Sequence, residues 1–260
     1  MRHYQLLLLM MLTGAVAAGA QTMQTDTSAS FRIVVIGSST AAGTGANPPD
    51  SAWVNRYRQW LQTQQTANEV INLALGGYQT WQLLPSNSRA VPARPRPDTA
   101  RNITRALSLY PDAVIVNLPS NDAAAGYGVD EQMRNFERIV QAADSAGVPI
   151  WICTSQPRHF SADKVLSQIV LRKAILDEFG ERAIDFWEPV ASPAGLIEIP
   201  YNSGDGIHLN NEGHRLLFER VRDQGILQTL IERGPRPKPK ASPLSRFLKY
   251  IRGKFFTPGK

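Results

Sequence analysis

Two short stretches, far apart in the chain, hold residue types that acyl transfer requires. Ser39 stands in Gly37-Ser38-Ser39-Thr40, while Asp205 and His208 stand three positions apart in Ser203-Gly204-Asp205-Gly206-Ile207-His208-Leu209. A serine hydroxyl is a weak nucleophile alone. An imidazole must take its proton as it attacks, and a carboxylate must hold that imidazole in the right tautomer. Ser39, Asp205 and His208 supply nucleophile, orienter and base in that chain order. Taken singly, each stretch has a plainer reading: Ser38 and Ser39 could cap the segment after them, and Asp-x-x-His recurs by chance.

Other chemistries fit less well. A phosphate loop needs Gly-Lys-Ser/Thr and a dinucleotide fold needs Gly-x-Gly-x-x-Gly, but this turn offers Gly37, Gly43 and Gly45 with no lysine. His208 and His214 are six apart, and no histidine pair has the i, i+4 spacing of His-Glu-x-x-His, so neither a metal nor another cofactor is expected. His159, in a proline-flanked loop, is expected to be structural or solvent-facing rather than to touch substrate, and Asp122 is expected to be structural.

These residues need elements to present them. Phe31 to Ile36 is an apolar, β-branched run that enters Gly37, which predicts a buried strand ending in a tight turn, with the Ser39 hydroxyl exposed beyond it. Comparable runs at 70–75, 113–118, 148–154 and 183–186 predict four more strands. Helical spacing or capping predicts helices from Asp50 or Ser51 to Gln65, over 99–109, over 131–146, over 162–179, and one last helix over 210–231. Strand and helix in alternation imply a parallel sheet of about five strands covered on both faces, a flavodoxin-like three-layer α/β/α sandwich whose strand-end loops share one edge. Residues 84–98, with four prolines, predict a loop that shapes access to that edge.

At four strand ends the sequence resembles the SGNH (GDSL-type) hydrolase family, over about residues 31–225. Gly37-Ser38-Ser39-Thr40 stands where that family has Gly-Asp-Ser-Leu; Asn72-Leu73-Ala74-Leu75-Gly76-Gly77 resembles Asn-x-Gly-x-x-Gly; Ser120-Asn121-Asp122 resembles the end of Gly-x-Asn-Asp; and Asp205-Gly206-Ile207-His208 matches Asp-x-x-His. The resemblance implies an ester hydrolase with Ser39, Asp205 and His208 as catalytic residues, and with the Ser39 and Gly77 N–H groups and the Asn121 amide as oxyanion donors. It leaves open lipid acyl esters and carbohydrate O-acetyl esters. Ser38 departs from the family's acid and is expected to alter hydrogen bonding at the turn; Ala74 and Pro119 replace glycines, and Pro119 is expected to stiffen the loop before Asn121. A non-catalytic carbohydrate- or envelope-binding module that keeps the fold is the alternative, with Ser38 the one feature in its favour.

The 260 residues are enough for one full-sized core over 31–232. Residues 1–20 read as a signal peptide, with Arg2, an apolar run Leu6 to Leu12 and small residues ending Ala18-Gly19-Ala20, so the chain is expected to be exported to the periplasm or beyond. The run is shorter than the ~20 residues of a spanning helix, and residues 21–30 are a polar lead-in. Cys153, the sole cysteine, lies in an apolar run and reads as core. The net charge of +6 is unevenly spread: residues 233–260 hold nine Lys/Arg and no acid, while residues 21–232 hold 18 Lys/Arg against 22 Asp/Glu, about −4. A nucleic-acid binder is therefore not indicated. Gly234 to Lys240 reads as a stiff linker, and 242–256 as a basic amphipathic helix suited to an anionic membrane or envelope polymer, or else as a solvated tail. Nothing in the sequence indicates an oligomeric state.

Overall fold

The computed structural model describes residues 29–118 and 120–236. The proposed leader, Pro119 and the basic segment 242–256 lie outside the described residues.

In chain order the elements are β1 (Arg32–Gly37), α1 (Ser39–Ala42), α2 (Trp53–Gln64), β2 (Glu69–Asn72), α3 (Thr80–Leu83), α4 (Ile103–Ser108), β3 (Ala113–Asn117), α5 (Asn121–Ala124), α6 (Val129–Ser145), β4 (Ile150–Cys153), α7 (Ala162–Phe179), β5 (Ala183–Ile184), α8 (Asn211–Asp223) and α9 (Ile226–Arg233). The strands form one parallel sheet in the order β2-β1-β3-β4-β5. Strand order reverses beside β1. Open α/β sheets bind ligands where the order reverses, outside the carboxyl ends of the strands, and Ser39 and Asn121 follow β1 and β3 there.

Side chains alternate across each strand, and the two faces carry separate cores. On one face Ile33, Val35, Ile115 and Cys153 pack with Trp53, Tyr57 and Leu61 of α2, Leu217 and Val221 of α8 and Leu230 of α9. On the other, Val34, Ile36, Val116 and Ile152 pack with Ile103 of α4, Phe136 and Ile139 of α6 and Leu171 and Ile175 of α7. Burial pushes the Cys153 thiol well above its usual range, as suits a core residue.

Several boundaries differ from the sequence reading. The last helix is two, because Gly225 sits at φ +76°, a left-handed conformation that ends α8 and lets α9 start in a new direction. Neither Asp50 nor Ser51 caps α2; both lie in a separate turn, Pro49–Ser51, and the extended Ala52 precedes Trp53. The helix expected over 99–109 starts at Ile103, where the Asn102 side chain accepts from Arg105 N at 3.0 Å. β2 stops at Asn72, whose side chain bonds outside the sheet, and β5 has only two residues. The loop 84–98 is fastened by Arg94, which pairs with Glu131 of α6 and stacks on Tyr127 at 4.1 Å.

The fold also runs beyond residue 232. Arg236 docks at the end of the sheet where β1 begins: its N–H donates to Asp112 at 2.9 Å, and its guanidinium donates to the carbonyls of Pro111 at 3.1 Å and Ala146 at 2.8 Å. The far end of β1 carries Ser39.

Candidate active site

The nucleophile turn is held by close backbone packing. A Cβ on Gly37 would come 2.1 Å from the Asn117 carbonyl oxygen, so only glycine lets β1 end this close to β3. Ser38 N donates to that same oxygen at 3.0 Å, and the chain turns into α1 with Ser39 first. From the neighbouring strand, Asn72 Nδ2 donates to Ala41 O at 2.7 Å and Leu75 N to Gly37 O at 3.2 Å, tying the second glycine block to the turn. Ser39 is more buried than the sequence reading had it, at 8% exposure.

Asp205 and His208 share one rigid turn. Asn202 and Leu209 bridge its base, and Asn202 Oδ1 accepts from Gly204 N at 2.8 Å and Gly206 N at 3.1 Å. Asp205 Oδ1 accepts from the N–H groups of Ile207 and His208, both at 2.8 Å, leaving Oδ2 to face the ring at 2.6 Å from His208 Nδ1. His208 Nε2 is 3.0 Å from Ser39 Oγ. Partial burial by itself would raise the Asp205 carboxyl, but the hydrogen bonds from His208 N, its ring and Ile207 N outweigh it and hold the acid well below the usual carboxylate range. Asp205 is therefore a carboxylate that keeps a proton on Nδ1 and leaves Nε2 free to accept one.

The segments that carry the expected oxyanion donors pack on the nucleophile turn. A Cβ on Gly76 would lie 3.8 Å from Ser39 Cβ, which brings the Gly76-Gly77 pair against the nucleophile. The N–H groups of Ser39 and Gly77 make no hydrogen bond among the described residues. Asn121 Nδ2, by contrast, donates to Ser38 Oγ at 2.8 Å and to the Tyr78 carbonyl at 2.9 Å. The set can therefore receive a negative oxygen next to Ser39 while His208 moves the proton.

Against this geometry, the profile of the GDSL-like lipase/acylhydrolase family matches residues 35–216, well over half of the chain. The chain belongs to that family. Among solved structures of similar fold is a lipase/acylhydrolase from Enterococcus faecalis at 16% identity and TM-score 0.56, covering 80% of this chain and 100% of that one. The psychrotrophic esterase EstA from Pseudoalteromonas aligns at 17% identity and TM-score 0.53, over 76% of this chain and 98% of that one. The acetyl xylan esterase AlAXEase aligns at 18% identity and TM-score 0.56, over 75% and 100%. At these identities the likeness is one of fold. No curated protein matches the chain.

Within this GDSL-like frame the remaining polar residues sort by contact. Asp122 is buried and accepts from Thr80 N and from Thr80 Oγ1 at 2.6 Å, pinning α5 to α3. His214 is buried between Trp53 N and Thr44 O. His159 lies on the surface, and its N–H donates to Gly206 O at 2.8 Å. Among the described residues no three His, Cys, Asp or Glu side chains cluster as a metal site would need, and no helix is long and apolar enough to cross a membrane.

Sequence reasoning did not foresee two groups that hold the site, nor one cation that lies near it. The Tyr78 carbonyl and the Ser38 hydroxyl hold the Asn121 amide, and the signal for Ser38 was its departure from the family's acid. Arg158 stands in the loop where only His159 drew notice; a cation at a strand end was the available signal.

Proposed function

We propose that this acylhydrolase is a serine esterase that works through an acyl-enzyme. The supporting observation is the relay Asp205 Oδ2 to His208 Nδ1 at 2.6 Å and His208 Nε2 to Ser39 Oγ at 3.0 Å, with N–H groups on Ser39 and Gly77 that make no hydrogen bond among the described residues. Ser39 Oγ bonds to the ester carbonyl carbon as its proton passes to His208 Nε2. The carbonyl electron pair moves to oxygen, where Ser39 N–H, Gly77 N–H and the Asn121 amide receive the charge. The C–O bond to the alcohol then breaks, and the leaving oxygen takes the proton from His208. Water repeats the sequence on the acyl-enzyme, with His208 again as base, and releases the acid.

The substrate class we propose is a carboxylic ester of a lipid or an O-acetylated carbohydrate, the second echoed by the acetyl xylan esterase among the structural neighbours. The test is hydrolysis of p-nitrophenyl esters from acetate to long acyl chains by residues 21–260 and by Ser39→Ala. Activity lost in the variant, with a p-nitrophenyl phosphonate transferring its phosphonyl group to Ser39 in the parent and releasing p-nitrophenol, supports the reading. Turnover unchanged in Ser39→Ala overturns it.

Export and peripheral attachment are part of the same proposal. They are supported by the leader-like residues 1–20 and the basic amphipathic pattern of 242–256. A mature N-terminus at Gln21 in the exported fraction would support the first. For the second, deletion of 237–260, which spares the docked Arg236, should abolish salt-sensitive binding to anionic vesicles; equal binding by the truncated protein would overturn it.

A further inference from the structure

The loop after β4 brings a cation to the rim of the site. Gln156 Nε2 donates to Thr40 Oγ1 at 2.8 Å, which fixes the loop against the nucleophile segment, and His159 N donates to Gly206 O, which fixes it against the turn carrying Asp205 and His208. Between those anchors lies Arg158. Its guanidinium carbon stands 4.6 Å from the centre of the Phe160 ring, and Lys164 Nζ stands 5.4 Å from the same ring while donating to Ala124 O at 3.1 Å. Phe160 and its two cations thus reach from the Asp205 turn to the segment that carries Asn121.

Most arginines of this chain that face acids are matched to them, as Arg94 is to Glu131 and Arg172 to Asp185. Arg158 makes no hydrogen bond or ion pair among the described residues, although it is partly buried. Burial lowers its pKa, and the nearby Asp205 charge raises it. Asp205 makes no hydrogen bond to it: its oxygens accept from Ser203 Oγ, Ile207 N, His208 N and the His208 ring, so the attraction between the two is through space. A guanidinium placed over an aromatic ring, with no hydrogen-bond partner among the described residues, is organised for a carboxylate or phosphate.

The geometry points to Arg158 as a specificity-determining residue that binds an anionic group on the alcohol part of the ester. The alcohol side follows from the chemistry. The leaving oxygen must take its proton from His208 Nε2, so the alcohol lies toward His208, and the Arg158 loop is bonded to the turn that carries His208. This rests on the reading of Ser39 and His208 as the reacting pair.

The test compares two acetyl esters that differ in charge on the alcohol, 4-acetoxybenzoate and phenyl acetate, with the full chain, Arg158→Lys and Arg158→Gln. The ratio of their kcat/KM values is expected to fall about 10-fold in Arg158→Gln, mostly through KM, and to fall less in Arg158→Lys. In the parent, added salt should lower that ratio. An unchanged ratio overturns the inference, as does a ratio that responds equally when the charge is moved to the acyl side in mono-phenyl succinate. If the parent hydrolyses neither ester, the esterase reading fails on these substrates, and calorimetric binding of 4-hydroxybenzoate to Ser39→Ala still decides Arg158. Binding lost on adding Arg158→Gln supports the anion site; no binding, or binding that survives the substitution, overturns it.

Discussion

Asn121 Nδ2 lies 2.8 Å from Ser38 Oγ and 2.9 Å from the Tyr78 carbonyl, so both hydrogens of this amide already have acceptors. An oxyanion must therefore share one of them, while the N–H groups of Ser39 and Gly77 make no hydrogen bond among the described residues. Asn121→Ala should lower kcat by about 10²-fold, the lower end for loss of such a donor, with KM little changed. Steady-state kinetics on p-nitrophenyl acetate measures it, and an unchanged kcat would remove Asn121 from the site.

Ser38 acts through Asn121 and is a positioning residue. Removing its hydroxyl deletes one anchor of the amide, worth about 1 kcal/mol. Ser38→Ala should therefore reduce kcat about 5-fold and leave KM within error. In the Asn121→Ala background the same change should have no further effect on kcat, a non-additivity that a general loss of stability would not produce.

Asparagine can keep the bonds from Ile207 N and His208 N through its carbonyl oxygen, but presents an N–H where Asp205 Oδ2 accepts from the ring. In Asp205→Asn the ring loses the acceptor that holds its proton on Nδ1, and Nε2 no longer reliably faces Ser39 as a base. Loss of about 10³- to 10⁴-fold in kcat is expected, with a thermal midpoint close to the parent's, since the carboxylate is 46% exposed.

Gly37 is constrained by the backbone of β3. In Gly37→Ala the new methyl would lie 2.1 Å from the Asn117 oxygen, and relief requires β1 to draw away from β3 at its catalytic end. The expected cost is about 3 kcal/mol in denaturant unfolding, together with loss of activity because Ser39 moves with the turn.

Two buried groups give opposite pH dependences over one window. Burial pushes the His214 pKa down from 6.5 to about 4, and burial, against the Thr80 hydrogen bonds, pushes that of Asp122 up from 3.8 to about 6. As pH falls from about 6.5 to 4 the unfolded state binds the histidine proton before the folded state does, which removes stability. Over nearly the same range the folded state binds the aspartic proton first, which adds stability. The two largely offset in the parent. Asp122→Asn leaves His214 alone, and its unfolding free energy should fall by about 3 kcal/mol between pH 6.5 and 4 relative to the parent's trend. Asp205, Asp98 and Glu131, all held low, withdraw stability only below about pH 4.5. Parallel curves for the two proteins would show that Asp122 contributes no such pH dependence.

The chain's own order determined much of this protein. Apolar runs mark β1, β3 and β4 because a strand buried on both faces must be continuously apolar, and alternation with helices then forces a parallel sheet and a common edge. The Asp205-His208 pair was legible because its geometry is local: one turn contains both groups and the amides that orient them. Boundaries were less legible. Gly225 splits a continuous helical pattern, and Asn102 and Ala52 set helix starts that apolar spacing alone places earlier. What only the tertiary structure decided are relations between segments remote in sequence. Asn121 divides its amide between Ser38 and Tyr78, Arg158 lies over Phe160 beside the Asp205 turn with no hydrogen-bond partner among the described residues, and Arg236 returns to Asp112. Periodicity reports which face a side chain takes on its own element. It carries no information about the distance between two loops, which the packing of the helices on both faces of the sheet determines.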